Sequence, residues 1–310
     1  MTLERVCAPC DGAEVLALWT QAFGEAEAAL EKPQIDGSEV GENADLLYLL
    51  WDGAKLAGAL HATVPRAAPG LCGLSGMCVA PEYRGRGLAK QLLDAMLGEL
   101  DAMGVEAAFL GTDNPAAAGL YAGFGFGFLP GSNVMARYAR GSARAFDDRA
   151  FKAPRKNFNI REGSPGMRIP LIPLALRRGG PLLMDCNAPL FSSAAVTQRS
   201  CMGLYPKFEG IWKGGGAVFG AWSEGVLGAV ASVKPTARGP RVDFFCCEAF
   251  LPAVPGLLAQ CRERFGELRF QIVPGDADKR ALVEGLGYRP GETTLLAFDW
   301  LHIPAVTYTR

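Results

Sequence analysis

The feature that most limits what this chain can fold into is an internal repeat. The stretch FGAWSEGVLGAVASVKP (219–235) lies over YLLWDGAKLAGALHATVP (48–65): Trp222 falls on Trp51, Gly228 on Gly58 and Pro235 on Pro65, with one residue fewer in the turn. Further on, DADKRALVEGLGY (276–288) lies over NPAAAGLYAGFGF (114–126), which puts Gly287-Tyr288 on Gly125-Phe126 and Val283 on Tyr121. Two matched segments in the same order predict a duplicated α/β fold, against the alternative of chance likeness between amphipathic segments. The second copy is shorter between these anchors, and the missing residues fall where the first copy has an arginine- and glycine-rich turn.

Within the first copy the pattern alternates strands and helices. Residues 2–8, 44–52, 54–64, 71–80 and 105–112 read as strands, with a turn at Asp52-Gly53. Residues 12–31 read as a helical stretch broken by Gly24, and 115–124 as a short helix. The apolar residues at 88, 92, 93, 96, 97, 100 and 103 mark one helix face. Two short strands around a Pro-Gly turn fill 126–139. The residues from 149 to 178, from Arg149 to Arg178, carry eight basic side chains among prolines and glycines; they read as a solvated boundary. The domains expected are 1–140, a linker at 141–164, and 165–310.

Composition narrows the partners. A formal net charge of -1 with 20% charged residues lacks the basic excess that nucleic-acid binding wants. The N-terminus has no apolar core of a signal peptide and no apolar run reaches the ~18 residues of a membrane span, so the expectation is a cytoplasmic protein with neither nucleic acid nor membrane as partner. Nine scattered cysteines fit reduced thiols, and Cys7 and Cys10 form a CxxC with no second pair and no nearby histidine to complete a metal site. His61 and His302 are the only histidines, so no metal is expected.

The turn itself is APEYRGRGLAKQLLDAML (80–97). Two arginines and two glycines open a helix, an arrangement suited to an anion, because the first helical turn offers unpaired N–H groups and glycines let a ligand approach the backbone. Arg84, Gly85, Arg86, Gly87, Leu88 and Ala89 fit the Q/R-x-x-G-x-G/A pattern, and Asn114, Ala117, Leu120-Tyr121 and Gly125-Phe126 fit N-x-x-A-x-x-L-Y-x-x-x-G-F. With both motifs in order, residues 1–140 resemble the GNAT superfamily of acetyl-CoA-dependent N-acetyltransferases; over 165–310 the resemblance is faint.

The resemblance implies an α/β (α+β) protein of two tandem GNAT-like domains, each a mixed, mostly antiparallel sheet flanked by helices, the second degenerate. It implies acetyl-CoA as co-substrate, with its diphosphate on the backbone of Arg86 to Ala89 and with charge from Arg84 or Arg86. Met77, Cys78 and Val79 would run beside the pantetheine arm, with Asn114 opposite, and an N–H of Cys78 or Val79 would polarise the thioester carbonyl. Tyr121 is the expected general acid toward the leaving thiolate. For the base no carboxylate stands in LCGLSGMCVA (71–80), which leaves His61 on the neighbouring strand or proton loss through water. Seven acidic residues between 25 and 45 against Lys32 favour a cationic small amine as acceptor. Cys72 and Cys78 leave a covalent route open, although nothing beside them in sequence activates a thiolate. The second copy has Phe250-Leu251-Pro252 in place of the turn and Val283 in place of Tyr121, so one coenzyme per chain is expected. The rival reading is an acyl-CoA-binding sensor without turnover.

Overall fold

The computed structural model describes residues 1–177, 181–198 and 204–310; Arg178 and Cys201 lie outside the described residues. The first half is one seven-stranded sheet. Its strands are β1 (Thr2–Cys7), β2 (Asn43–Asp52), β3 (Lys55–Pro65), β4 (Leu71–Val79), β5 (Ala107–Gly111), β6 (Gly127–Phe128) and β7 (Val134–Tyr138). They run in the order β1-β2-β3-β4-β5-β7-β6, antiparallel throughout except between β4 and β5. Four helices dress it: α1 (Ala13–Phe23), α2 (Glu25–Ile35), α3 (Leu88–Ala102) and α4 (Pro115–Ala122). The apolar stripe read from the sequence is the buried face of α3: Leu88, Leu92, Leu93, Met96, Leu97 and Leu100 are all in the core, while Met103 is exposed beyond the helix end.

The chain then forms α5 (Ala143–Asp147) and a π-turn through Lys152 before β8 (Asn159–Glu162). The solvated boundary expected here is therefore corrected. Phe146, Ala150 and Phe151 are buried, and three of the arginines are paired within the protein, Arg155 and Arg177 largely buried and Arg149 half-exposed. Arg149 pairs with Glu106, Arg155 donates to the Ser223 carbonyl at 3.1 Å, and Arg177 pairs with Asp147 at 2.8 Å while stacking over Phe151. Prolines and scattered charge hid apolar residues too few to show a period. The expected linker also ends too late, because β8 already belongs to the second sheet.

After α6 (Leu171–Ala175), β9 (Leu183–Asp185), β10 (Leu190–Phe191) and α7 (Leu204–Lys213), the second half lays down β11 (Ala217–Ser223), β12 (Val226–Lys234), β13 (Arg241–Cys246), α8 (Val254–Phe265), β14 (Phe270–Ile272), α9 (Ala277–Gly285), β15 (Arg289–Phe298) and β16 (Leu301–Thr309). Strands β8-β11-β12-β13 form one antiparallel sheet and β14-β16-β15 another. A single parallel bridge, Arg241 to Arg269, links the two. Strand order and the positions of α8 and α9 repeat those of the first sheet with α3 and α4.

The hairpins agree in detail. Both carry a register shift just before the tryptophan, with Trp51 opposite Leu56 and Trp222 opposite Leu227. The two turns are thus equally long, so no residue is missing from the second. Gly228 stands at the position of Ala57, not Gly58: its carbonyl accepts from Cys247 as that of Ala57 accepts from Ala80, both at 2.9 Å.

The halves share a core. Ala68 of the β3–β4 connection and Ala107, Phe109, Val134 and Ala136 of the first sheet belong to one buried apolar cluster with Met167, Leu171, Phe219, Leu227 and Phe250. At this seam Arg168 pairs with Glu39 and lies over the Tyr205 ring at 4.3 Å, and Ser164 donates to Glu42 at 2.9 Å. Among the described residues no helix is long and apolar enough to cross a membrane.

Candidate functional site

The site begins with a defect in a strand pair. Ala59 faces Cys78 but His61 faces Ser75, so β4 carries one extra residue around Gly76-Met77. Gly76 adopts φ +61°, and a Cβ there would collide with Trp19, whose indole N–H donates to the Gly76 carbonyl at 2.7 Å. This is a β-bulge that needs glycine and is pinned by a fully buried tryptophan. On its other edge β4 pairs with β5 only from Leu71 to Gly73. Beyond that point Leu74–Val79 leaves β5, and its edge N–H and C=O groups face a cleft instead of a strand. Met77, Cys78 and Val79 all lie on this diverging segment.

Straight on from β4, the chain turns through Pro81–Tyr83 into Arg84–Gly87 and then α3. Tyr83 anchors the turn by donating to Asp52 at 3.0 Å. Gly85 and Gly87 take φ +75° and +76°, a left-handed conformation that disfavours any side chain, and nothing lies within 4 Å of where a Cβ would be. Gly87 starts α3 with no side-chain cap, so the N–H groups of Leu88 and Ala89 point from a bare helix end. Arg84 bonds the Val79 carbonyl at 3.1 Å and Arg86 the Glu82 carbonyl at 2.9 Å, which folds both guanidiniums over the turn. The sequence motif is thus one open, positively charged helix entrance next to the strand divergence.

From the far side comes α4. Asn114 caps it, its side-chain oxygen accepting from Ala116 at 2.9 Å and Ala117 at 3.4 Å. That leaves the Asn114 amide N–H groups free for a ligand. Tyr121 is buried edge-on to Phe126, 6.0 Å between centroids, and its hydroxyl has no protein partner among the described residues. Burial, reinforced by the neighbouring Cys78 thiol, pushes the phenol up to about 12, so it stays a donor at neutral pH. Burial also pushes the Cys78 thiol up to about 12 and raises Cys72 further. Neither is a thiolate at neutral pH, which removes the chemical basis for a covalent route through them.

His61 is not placed as the sequence suggested. Its side chain is 0% exposed. Nε2 lies 3.0 Å from Asp45, while Nδ1 lies 2.9 Å from the Ser75 hydroxyl and 3.2 Å from Glu31. Burial disfavours the charged ring, but the hydrogen bonds to Asp45 and Glu31 outweigh it and raise its pKa to about 9. Both ring nitrogens are occupied and the ring is protonated at neutral pH, so His61 cannot itself take a proton from an acceptor. An isolated histidine in an apolar strand gave no hint of two carboxylates folded over it.

Much of the acidic stretch is likewise spent inside the protein. Asp45 also accepts from Thr63 at 2.6 Å and Glu39 pairs with Arg168, while Asp36, on the surface, accepts from the Ser38 N–H at 2.9 Å. Two cavities, of about 390 and 800 Å³, lie along the seam between the halves, lined by residues such as Phe146, Phe151 and Pro173, away from the turn and from Tyr121.

Comparison with known proteins follows this geometry. Residues 13–126 match the family model described as the acetyltransferase (GNAT) family. No curated protein matches the chain. Among solved structures, a GNAT-family acetyltransferase from Staphylococcus aureus is 16% identical, with 45% of this chain and all of that one covered and a TM-score of 0.35. A phosphinothricin acetyltransferase from Sinorhizobium meliloti, in complex with AcCoA, is 13% identical over 50% of this chain and 88% of that one, with a TM-score of 0.37. The GNAT N-acetyltransferase YhbS from Escherichia coli, in complex with CoA, is 25% identical over 44% and 83%, with a TM-score of 0.33.

Proposed function

Residues 13–126 are a GNAT acetyltransferase domain, which makes the chain an acyltransferase, and we propose that its first half moves an acetyl group from acetyl-CoA to a primary amine of a small molecule. The observation that carries this reading is the divergence of β4 from β5 beyond Gly73, with the Arg84–Gly87 helix entrance at one end and Tyr121 beside it. The residues fit the coenzyme. The helix entrance offers N–H groups and arginines to a diphosphate. The free edge of Met77–Val79 can pair with the amides of pantetheine as a neighbouring strand would. Of the two N–H groups expected to polarise the thioester carbonyl, that of Cys78 is turned to Ala59 on β3, which leaves that of Val79 for the role.

The chemistry follows from charge. Attack by the amine nitrogen on the thioester carbon forms the C–N bond and places negative charge first on the carbonyl oxygen and then on sulfur. As the C–S bond breaks, Tyr121 gives its phenolic proton to the thiolate and regains one from the proton shed by nitrogen. The protonated state of Cys72 and Cys78 supports direct attack over a covalent enzyme intermediate. A second reading, a coenzyme sensor without turnover, is weakened by Tyr121, whose ring is buried while its hydroxyl has no hydrogen-bond partner among the described residues and so remains available to a ligand. Thiol release from acetyl-CoA with a panel of amines tests the proposal: turnover supports it, and tight coenzyme binding with no turnover replaces it with the sensor.

The second half is assigned no coenzyme. The topology it repeats supports a degenerate copy, and its role is to buttress the first half through the shared core.

A further inference from the structure

Where the acceptor's proton goes is left open by Tyr121, which serves the other end of the reaction. One carboxylate reaches β4 beside its bulge, through Ser75. Glu31, on α2, is the partly exposed end of a chain that runs inward through Ser75 and His61 to the buried Asp45. The Ser75 hydroxyl lies 2.8 Å from Glu31, His61 bridges to Asp45, and Thr63 satisfies Asp45 further. The Glu31 side chain is 16% exposed, against 0% for His61 and 2% for Asp45. The groups around it are His61 and Thr63 from β3, Asp45 from β2, Ser75 from β4, Gln34 at 3.4 Å from its own helix, the Trp19 ring from α1 tilted beside His61, and, near Asp45, Glu39 with its partner Arg168. Of the two carboxylates that hold His61, Glu31 is the one at the outer, partly exposed end. Ser75 immediately precedes the bulge at Gly76.

We infer that the Glu31 carboxylate receives the ammonium of the acceptor and takes its proton, directly or through one water, while His61 and Asp45 act as positioning residues that hold Glu31 at Ser75. The inference rests on the amine-acetylation reading above. The balance is simple. The ammonium gives one proton to Glu31, which passes it to solvent. The free lone pair attacks the thioester carbon, and the second N–H proton replaces the one Tyr121 has given to sulfur. An ammonium and a thioester become an amide, a thiol and one released proton.

Two kinds of acceptor separate this role from a structural one. Alkylamines are ammonium ions at neutral pH and need the base, whereas an arylhydrazine is already neutral. In Glu31→Gln, kcat/KM for the panel's alkylamines should fall by roughly 100- to 10,000-fold, with that for phenylhydrazine changed by no more than about threefold. His61→Gln should show the same selective loss at smaller size, in kcat more than in KM for acetyl-CoA. Ser75→Ala, a small change at a partly buried residue, should show the same selective alkylamine loss at smaller size, because it removes the hydroxyl that holds Glu31. Equal losses for both acceptor kinds, or undiminished alkylamine turnover in Glu31→Gln, would overturn the inference while leaving acetyl transfer standing. A wild-type protein that fails to bind acetyl-CoA would instead sink the functional reading itself, and coenzyme binding with no amine acetylated would remove the acceptor assignment and this inference together.

Discussion

The same place in the two sheets is built twice, once open and once closed. In the first, His61 on β3 faces Ser75 on β4; in the second, Ser232 on β12 faces Asp243 on β13 at the corresponding register. Each pair anchors a buried polar network. In the first half the network ends at Glu31 on the surface, β4 bulges at Gly76, and the space beside β4 is free. In the second half β13 runs without a bulge, and a lysine fills the corresponding space. Lys279, one turn into α9 where α4 has Ala117, reaches across to Asp243 at 2.7 Å and to the Met184 carbonyl at 3.0 Å. Asp185 joins through Ser232 at 2.7 Å. Phe250 closes the other end: it is fully buried, and its ring lies so close to Gly228 that a Cβ there would overlap it. The contrast teaches that a fold keeps a cleft only by refusing side chains to it. Glycine at 85 and 87 and alanine at 117 do so in one copy, and lysine and phenylalanine undo it in the other.

The comparison can be broken at several points. The largest effect expected is from Lys279→Ala, which leaves Asp243 and Asp276 as buried, unpaired carboxylates and should cost about 3–5 kcal/mol in denaturant unfolding. A loss below about 1 kcal/mol, the scale of surface ion pairs, would mean that the second cleft is not plugged by this pair. Next, Tyr121→Phe should keep acetyl-CoA affinity in calorimetry and lower kcat by roughly 10- to 1,000-fold, the usual range for a general acid. Wild-type kcat in that variant would remove Tyr121 from the chemistry.

The open network also carries a pH signature. The folded pKa of His61, about 9, lies above the value of roughly 6.5 expected when unfolded. The folded state therefore binds the proton more tightly. Its contribution, on the order of a few kcal/mol, is complete below about pH 6.5 and is lost as pH rises through 9. Urea midpoints of the wild type should fall across pH 7–9.5 more steeply than those of His61→Gln; parallel curves would show that the ring is not an imidazolium. The smallest effect expected is from Phe250→Leu, with a loss of about 1–1.5 kcal/mol for a change of core shape. Calorimetry should still count one coenzyme per chain, and a second equivalent would show that Phe250 alone had kept the second cleft shut.

Much of this was legible in the residues, and unevenly. The α3 stripe, the glycine turn and the Asn114–Tyr121 spacing are local patterns, so their geometry follows from short-range rules of period and capping. The matching of Val283 to Tyr121 also holds: Tyr288 donates to the Val283 carbonyl as Phe126 does to that of Tyr121. The one-residue slip in aligning Gly228 arose because a bulge next to a tryptophan is invisible in sequence. Nor could the sequence reveal that Glu31, His61 and Ser75 meet, since they come from three elements and only the packing of α2 on the sheet brings them together. The acidic run from 25 to 45 read as a field for the same reason: its partners Arg168, Ser164 and Thr63 lie elsewhere in the chain.

The shared core has a bearing on how the protein is made. Phe109, Val134 and Ala136 are covered by residues as distant as Phe219, Leu227 and Phe250. At a synthesis rate of roughly 5–20 residues per second, the first half leaves the ribosome about 5–20 s before those residues do. For that interval the newborn sheet presents an apolar face to the cell. The buried Arg168–Glu39 pair joins early, from just past the boundary, and ties the following segment against the finished half while the remainder is still being translated.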